Sequence, residues 1–305
     1  MSNDQFGNLI VSLFHSFRSA KNPYLLLDIE RADLELQWIL SFGGFSLNWD
    51  RVFYIRHFLQ ESLKTLLETD MKFCQTENVE HHFWKILFYN IIEMLRKGMP
   101  KENCEGREQC KMIMLKIIDE GTVYLENLLT VLESKYEFKL DTFLASSTLP
   151  KGLGMLGLAL VSAQKIYLFL GDLARYREQN DEINNTEFSS RWYLKAQQLN
   201  PKNGRPYNQL AVLAHYRRKL DAVYYYMRSL MASNPFLSAR ESLIGLFDEN
   251  RRKVRYAYKI HYLYVCVYTN VNNTLILFCR QRKFIYQVFI YHVSASHFYR
   301  LRHFP

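Results

Sequence analysis

Two Asn-Pro dipeptides lie 34 residues apart, at Asn200-Pro201 and Asn234-Pro235. With this offset Trp192 aligns with Tyr226, so aromatic residues recur at a fixed distance from each proline. A 34-residue period that ends in proline is typical of tetratricopeptide repeats, in which each helix pair covers its neighbour. The spacing therefore predicts stacked helical hairpins over residues 186–253.

Long amphipathic stretches fill most of the remaining chain. Its 305 residues include only 12 glycines and 7 prolines, and this scarcity with apolar residues at helical spacing favours an all-α fold. Asn48 is the expected N-cap of one of these helices. The predicted helices are 3–20, 28–41, 48–70, 77–97, 107–136 and 153–180, with breaks at "KNPY", "FGGF" and "MPKENCEG".

The end of the sequence differs from the rest. Residues 254–305 contain seven Lys and Arg and no Asp or Glu, whereas the net charge of the whole chain is +9. The preceding residues are therefore nearly neutral, and a nucleic-acid interpretation from overall charge depends on this tail alone. Its Tyr, Val and Ile content predicts β structure. We interpret it as a divergent basic tail from an alternative transcript end or intron read-through.

Several classes of protein are disfavoured. The five cysteines follow no disulfide or zinc spacing, so we expect a reduced intracellular compartment. Neither a signal peptide nor a membrane span is expected, because no matching apolar run occurs. His81-His82 with Cys74, Cys104 and Cys110 lacks the C-x-x-C and H-x-x-x-H patterns, so neither a metal site nor a cofactor is predicted.

The stretch "GDLARYRE" places a charged cluster in an otherwise apolar predicted helix. Asp172 precedes Arg175 by three positions and Tyr176 by four, so all three share a face. In "WKILFY", Lys85 and Tyr89 lie off the apolar stripe. If the two helices face each other across a groove, Lys85, Arg175 and Tyr176 form a basic pocket for a dianionic phosphoryl group. The alternative is that they are ordinary surface charges.

"GDLARYRE" resembles the "GD..RY" helix of 14-3-3 proteins, whose arginine and tyrosine bind phosphoserine. The segments "FWKILFY", "DEGTVYLENLL", "GDLARYREQN" and "WYLKAQQLNPKNGRPYNQLAVLA" resemble the EST-one/SMG family in the expected order, over roughly residues 50–253. This resemblance implies a 14-3-3-like helical-repeat domain with a helical hairpin extension. It also implies phosphopeptide binding by Lys85, Arg175 and Tyr176, with Arg177 as companion and Asp172 and Tyr89 in support.

The resemblance implies a domain plan and partners. The expected segments are N-terminal helices at 1–49, a 14-3-3-like domain at 50–185, tetratricopeptide-like helices at 186–253 and the tail at 254–305. The expected partner is the phosphorylated up-frameshift RNA helicase of nonsense-mediated mRNA decay, with related SMG adaptors, the telomerase ribonucleoprotein or RNA as further partners. The expected location is the cytoplasm, with the nucleus or telomere as the alternative.

Two other functions stay open. Full-length relatives carry a PIN nuclease domain with acidic metal ligands, but this sequence has no carboxylate beyond Glu249, so we predict an adaptor and not an enzyme. The chain could otherwise be a telomerase-associated scaffold that binds RNA or protein. A third interpretation is a fragment of an RNA endonuclease that lacks its PIN domain.

Overall fold

A computed structural model describes residues 20–41, 49–100, 105–145, 154–180, 186–215 and 218–272, with side chains up to residue 256. Every regular element in these ranges is helical, which confirms the all-α prediction. The helices are α1 Pro23–Ser41, α2 Trp49–Thr69, α3 Met71–Thr76, α4 Val79–Trp84, a π-helical turn Lys85–Tyr89, α5 Asn90–Gly98, α6 Glu105–Lys135, α7 Leu140–Ala145, α8 Gly154–Asn180, α9 Glu187–Leu199, α10 Gly204–Ala214, α11 Lys219–Leu230 and α12 Ala239–Asn272. The chain divides into two compact units, Met1–Leu243 and Ile244–Pro305.

The first helix begins earlier than the sequence pattern predicts. Within "KNPY", Lys21 and Asn22 are non-helical but α1 already starts at Pro23, and the Asn22 side chain accepts a hydrogen bond from the Leu25 amide at 3.2 Å. Proline suits the first helical position, where its missing N–H would have no partner. The predicted helix 3–20 and the predicted N-cap Asn48 lie outside the described residues.

Helix α8 supplies much of the core of the first unit. It packs against α4, α6 and α9, and the Phe169 ring stacks on Trp84 with centroids 4.8 Å apart. Among the described helices, α8 is the one that is long and apolar enough to cross a membrane. However, 61% of its most apolar window is buried inside the protein. Packing against the neighbouring helices accounts for its apolar character.

The predicted helix 77–97 contains a π turn in its middle. The Asn90 amide bonds to the carbonyl of Lys85, five residues back. Within this turn the Leu87 carbonyl accepts a hydrogen bond from Nε of Arg56 at 3.1 Å. Arg56 is fully buried and its Nη1 lies 2.7 Å from Oε2 of Glu120. A long-range contact from α2 thus holds the turn that begins with Lys85.

The two Asn-Pro turns meet in space. The Gly204 amide donates to the Asn234 carbonyl, and the Asn234 amide donates to the Lys202 carbonyl, both at 2.8 Å. The Ser229 hydroxyl adds a 2.7 Å bond to the Gly204 carbonyl. These bonds fix the start of α10 against the end of α11.

The predicted β structure of the tail is wrong for residues 254–272, because α12 extends to Asn272. Tyr and Val cost a helix only about 0.7 kcal/mol or less per residue relative to alanine. Extending an existing helix is easier than nucleating a new element, since each added residue brings a hydrogen bond. The remaining part of the tail, 273–305, lies outside the described residues.

Candidate anion-binding site

Asp172 organises the charged cluster of α8. Its Oδ1 atom accepts three hydrogen bonds, from Nη2 of Arg175 at 3.1 Å, the Tyr193 hydroxyl at 2.6 Å and Nε2 of Gln209 at 3.0 Å. These donors come from α8, α9 and α10, so one carboxylate joins three helices. We call Asp172, Arg175, Tyr193 and Gln209 the Asp172 cluster.

The glycine before Asp172 makes this cluster possible. A Cβ atom on Gly171 would lie 2.4 Å from a ring carbon of Tyr193, well inside van der Waals contact. Glycine therefore lets α9 approach α8 closely enough for the fully buried Tyr193 to reach Asp172. Burial and the neighbouring carboxylate of Asp172 raise the pKa of Tyr193 well above its ordinary value, so its hydroxyl stays a donor.

Asp172 holds the Arg175 side chain, which is only 18% exposed. Burial opposes its charge, but Tyr193 and Asp172 raise its pKa above the ordinary arginine value, so it remains a cation. Its guanidinium carbon lies 4.7 Å from the centroid of the buried Tyr176 ring, and that of Arg96 lies 5.4 Å away. Arg96 is itself paired with Glu93 at 2.7 Å. Two guanidinium groups thus lie within cation–π distance of the Tyr176 ring.

Lys85 starts the π turn and is exposed, whereas its neighbour Trp84 is buried against α8. Tyr89, one turn further on, is 41% exposed. Two contacts join the segment 79–98 to α8, Trp84 to Phe169 and Arg96 to Tyr176, and they follow the same order along the two stretches. The helix that carries Lys85 and the helix that carries Arg175 therefore lie side by side.

Arg177 lies on a different face of α8 from Arg175. It forms an ion pair with Asp119 of α6 and is exposed. Two residues along an α-helix correspond to a rotation of about 200°, so neighbouring arginines of "ARYR" point to different partners. The structure does not bring Arg177 together with the Asp172 cluster.

His81 lies one turn before Lys85 in the same helical segment, and its ring stacks on Phe169 with centroids 6.4 Å apart. Burial, which is the largest cause, and the positive charges of neighbours such as Arg205 and Lys85 together lower the pKa of His81 to about 4. Its buried Nδ1 atom has no hydrogen-bond partner among the described residues. A neutral imidazole surrounded by cations marks a region of positive potential.

Acidification is expected to destabilise the protein through His81. Its pKa is about 4 in the folded state and about 6.5 when unfolded, and burial, Arg205, Lys85, Lys165 and His82 all lower it. The unfolded state therefore binds the proton first, so the stability contribution is complete above pH 6.5 and is lost as the pH falls towards 4.

Urea unfolding at a series of pH values should show a steeper loss of stability on acidification in the wild type than in His81→Gln. The His57→Gln variant, which removes an exposed histidine, should keep the wild-type slope. Parallel slopes for the wild type and His81→Gln would contradict this assignment.

Sequence reasoning missed Tyr193, Gln209 and Arg205 as site residues. Tyr193 follows the tryptophan of the 34-residue repeat, a position that the pattern marks as core. Gln209 and Arg205 carry no local signal, because their partners Asp172 and His81 lie on distant helices. Among the described residues, no group of three His, Cys, Asp or Glu side chains could hold a metal ion.

The amino-acid sequence is similar to that of several known proteins. Residues 189–261 match the sequence profile of the Est1 DNA/RNA binding domain. The chain is 45% identical over 210 residues to telomerase-binding protein EST1A of Danio rerio, which covers 67% of this chain and 13% of that protein. It is 30% identical over 222 residues to the nonsense-mediated mRNA decay factor SMG7 of Arabidopsis thaliana, covering 64% and 21%.

A solved structure of the C. elegans SMG5–SMG7 complex matches with a TM-score of 0.45 and 17% identity, covering 72% of this chain and 52% of that one. The chain spans only about a fifth or less of the length of the two relatives. The predicted resemblance to the EST-one/SMG family is confirmed. The chain is similar to EST1A and SMG7 over about two thirds of its length, and its residues 189–261 match the Est1 DNA/RNA binding domain.

Proposed function

We propose that this protein is a phosphopeptide-binding adaptor of nonsense-mediated mRNA decay that captures phosphorylated segments of the decay helicase. The observation that supports the proposal is that the segment carrying Lys85 lies beside α8, the helix that carries Arg175. Lys85 offers an exposed ammonium group, and the partly buried Asp172 cluster fixes the guanidinium of Arg175.

The geometry suits a phosphate better than a single carboxylate. A phosphoserine carries a charge of about −1.5 to −2 and three acceptor oxygens, and arginine and lysine are its usual partners. Holding Arg175 in one orientation before binding lowers the entropy cost of recognition. The proposed role of Arg175 and Lys85 is binding and not catalysis.

The similarity to a nonsense-mediated decay factor supports this choice of pathway. A phosphorylated helicase of that pathway is the partner that the proposal names, and the cytoplasm is the location that follows from it. Tyr176 is nearly fully buried, so its role is to support the two arginines that flank it. Tyr89 is accessible and is the better candidate to contact the peptide.

Reversing the charge of Lys85 is expected to abolish phosphopeptide binding. In Lys85→Glu a carboxylate replaces a cation beside the phosphate, and affinity should fall by about tenfold or more. Titration calorimetry with a phosphoserine peptide from the helicase measures this change, and the unphosphorylated peptide should not bind.

Lys135→Glu provides a matched control. Lys135 is also exposed but ends α6. Gly121, which contacts Phe88 of the π turn, lies 14 residues earlier in the same helix, or about 21 Å along the axis. Circular dichroism should show equal helicity in both variants. Equal peptide affinity of Lys85→Glu and the wild type would refute the proposed site.

A second candidate function is nucleic-acid binding, and the match of residues 189–261 to the Est1 DNA/RNA binding domain favours it. Similarity to a telomerase-binding protein makes a nuclear, telomere-associated role the corresponding alternative. This function would be favoured if the protein bound single-stranded RNA, if that binding weakened steeply with salt, and if a phosphopeptide did not compete with the RNA.

A further inference from the structure

Two cations near the candidate site have no ion-pair partner among the described residues. They are Lys85 and Arg205, which we call the cation pair. The neighbouring cations differ in this respect, because Lys165 lies 3.0 Å from Glu80 and Arg175 lies 3.1 Å from Asp172.

Hydrogen bonds to α8 from the N-cap of α10 and from α10 itself fix where Arg205 lies. Two residues before it, Nδ2 of Asn203 donates to Oε1 of Gln164 at 2.8 Å. Four residues after it, Gln209 donates to Asp172 at 3.0 Å. Arg205 therefore lies over the segment of α8 between Gln164 and Asp172.

That segment of α8 contains Phe169, against which the His81 ring stacks. Lys85 follows His81 by four positions and shares its face. His81 is thus flanked by Lys85 from its own helical segment and by Arg205 from α10. The lowered pKa of His81, to which Arg205 contributes most among the neighbouring charges, agrees with this placement.

Charge balance indicates what the site would bind. Asp172 neutralises Arg175, and Glu93 neutralises Arg96. Without Arg205 the site has one net positive charge, from Lys85; with Arg205 it has two. A phosphate dianion needs two positive charges for full compensation, whereas a carboxylate needs one.

We propose that Arg205 is a further specificity-determining residue of the phosphopeptide site, where it binds the phosphate dianion together with Lys85. This inference rests on the proposed function. It places the phosphate between the π turn and the first turn of α10, beside His81, with Arg175 at its edge. Selectivity for phosphoserine over an acidic residue then comes from the cation pair.

The test uses titration calorimetry with a phosphoserine peptide from the decay helicase. Arg205→Gln should weaken binding about tenfold, since it removes a charge-assisted hydrogen bond. Arg205→Lys should weaken it less than about threefold, because the charge is kept. Arg240→Gln removes the charge of an exposed arginine in the first turn of α12 and should bind as the wild type does.

His81 provides a readout that does not depend on peptide affinity. Its imidazole resonance is identified by its loss in His81→Gln and followed against pH by NMR. The pKa of His81 should be higher in free Arg205→Gln than in the free wild type. Binding of inorganic phosphate or of the phosphopeptide to the wild type should raise it as well. An unchanged His81 pKa in Arg205→Gln would overturn the placement of Arg205.

Other outcomes separate the two proposals. If Lys85→Glu loses phosphopeptide binding and Arg205→Gln does not, the role of Arg205 is wrong and the proposed function stands. If the wild type does not bind the phosphopeptide, both fail. If Arg205→Gln weakens binding of single-stranded RNA and leaves phosphopeptide affinity unchanged, the role of Arg205 in phosphopeptide binding is overturned in favour of a nucleic-acid contact.

Discussion

Gly204→Ala is expected to destabilise the protein by about 3 kcal/mol or more, because the added methyl group meets backbone atoms that have no room to move. A Cβ atom on Gly204 would lie 2.4 Å from the Ser229 carbonyl oxygen and 2.7 Å from the Phe236 amide nitrogen. A clash with a side chain is relieved by a rotamer change. Here relief requires α10 and the end of α11 to separate.

Separation would also break the bonds that join the two Asn-Pro turns. The Gly204 amide would lose the Asn234 carbonyl, and the Gly204 carbonyl would lose the Ser229 hydroxyl. Each buried hydrogen bond contributes about 1 kcal/mol, and an unsatisfied group costs more. Because α10 carries Arg205 and Gln209, phosphopeptide affinity should fall together with stability.

Urea unfolding followed by circular dichroism measures the effect. Gly98→Ala is the matched control, since a Cβ atom on Gly98 would have no neighbour within 4 Å. Its unfolding midpoint should stay close to that of the wild type, and the midpoint of Gly204→Ala should be far lower. Coinciding midpoints for the two variants would show that the Asn-Pro turns do not approach as closely as described.

Arg56→Ala is the second substitution with a large expected effect, about 3 kcal/mol of lost stability. It removes the guanidinium nitrogen that lies 2.7 Å from the Glu120 carboxylate. It also removes the donor that lies 3.1 Å from the Leu87 carbonyl oxygen. It also leaves a void between the rings of Phe53 and Phe88, which lie 5.7 and 5.5 Å from the guanidinium carbon.

Burying the ion pair of Arg56 and Glu120 also costs free energy of folding in the wild type. Burial lowers the pKa of Arg56 against the opposing effect of Glu120, and its buried Nη2 atom has no partner among the described residues. The double variant Arg56→Met, Glu120→Gln should therefore be more stable than Arg56→Ala, since it removes both charges and fills the space.

Two measurements check this prediction. Chemical denaturation compares the stabilities of the wild type, Arg56→Ala and the double variant. Titration with the phosphopeptide tests the second consequence, that both variants bind more weakly because the π turn beginning at Lys85 has lost its support. A change of less than about 0.5 kcal/mol in Arg56→Ala, as for an ordinary surface substitution, would show that Arg56 does not hold the turn.

Part of the candidate site is accessible from the sequence. Helical periodicity predicts that Phe83, Leu87 and Ile91 face the core, and all three are buried. The "GD..RY" resemblance singles out Asp172 and Arg175, and the structure joins these two by a hydrogen bond. These features are local, because residues three or four apart on a helix share a face.

The π turn has no such local signal. The stretch "WKILFY" has the apolar spacing of an α-helix, and its widened turn receives a hydrogen bond from Arg56, 31 positions earlier. Likewise, the partners of Asp172 lie 21 and 37 positions later in the chain. Helical periodicity relates residues three or four positions apart, so it cannot predict contacts between residues this far apart in the sequence.

The sequence by itself determined the helical nature of the described residues before the tail, the 34-residue period of the Asn-Pro dipeptides and, through the family resemblance, the choice of Arg175 as a candidate residue. Tertiary structure alone decided which cations are neutralised and which remain uncompensated. Lys165 has Glu80, Arg177 has Asp119, and Lys85 and Arg205 form no ion pair in the described part of the chain. The physical reason is that helix formation depends on neighbouring residues, whereas electrostatic balance depends on which distant helices pack together.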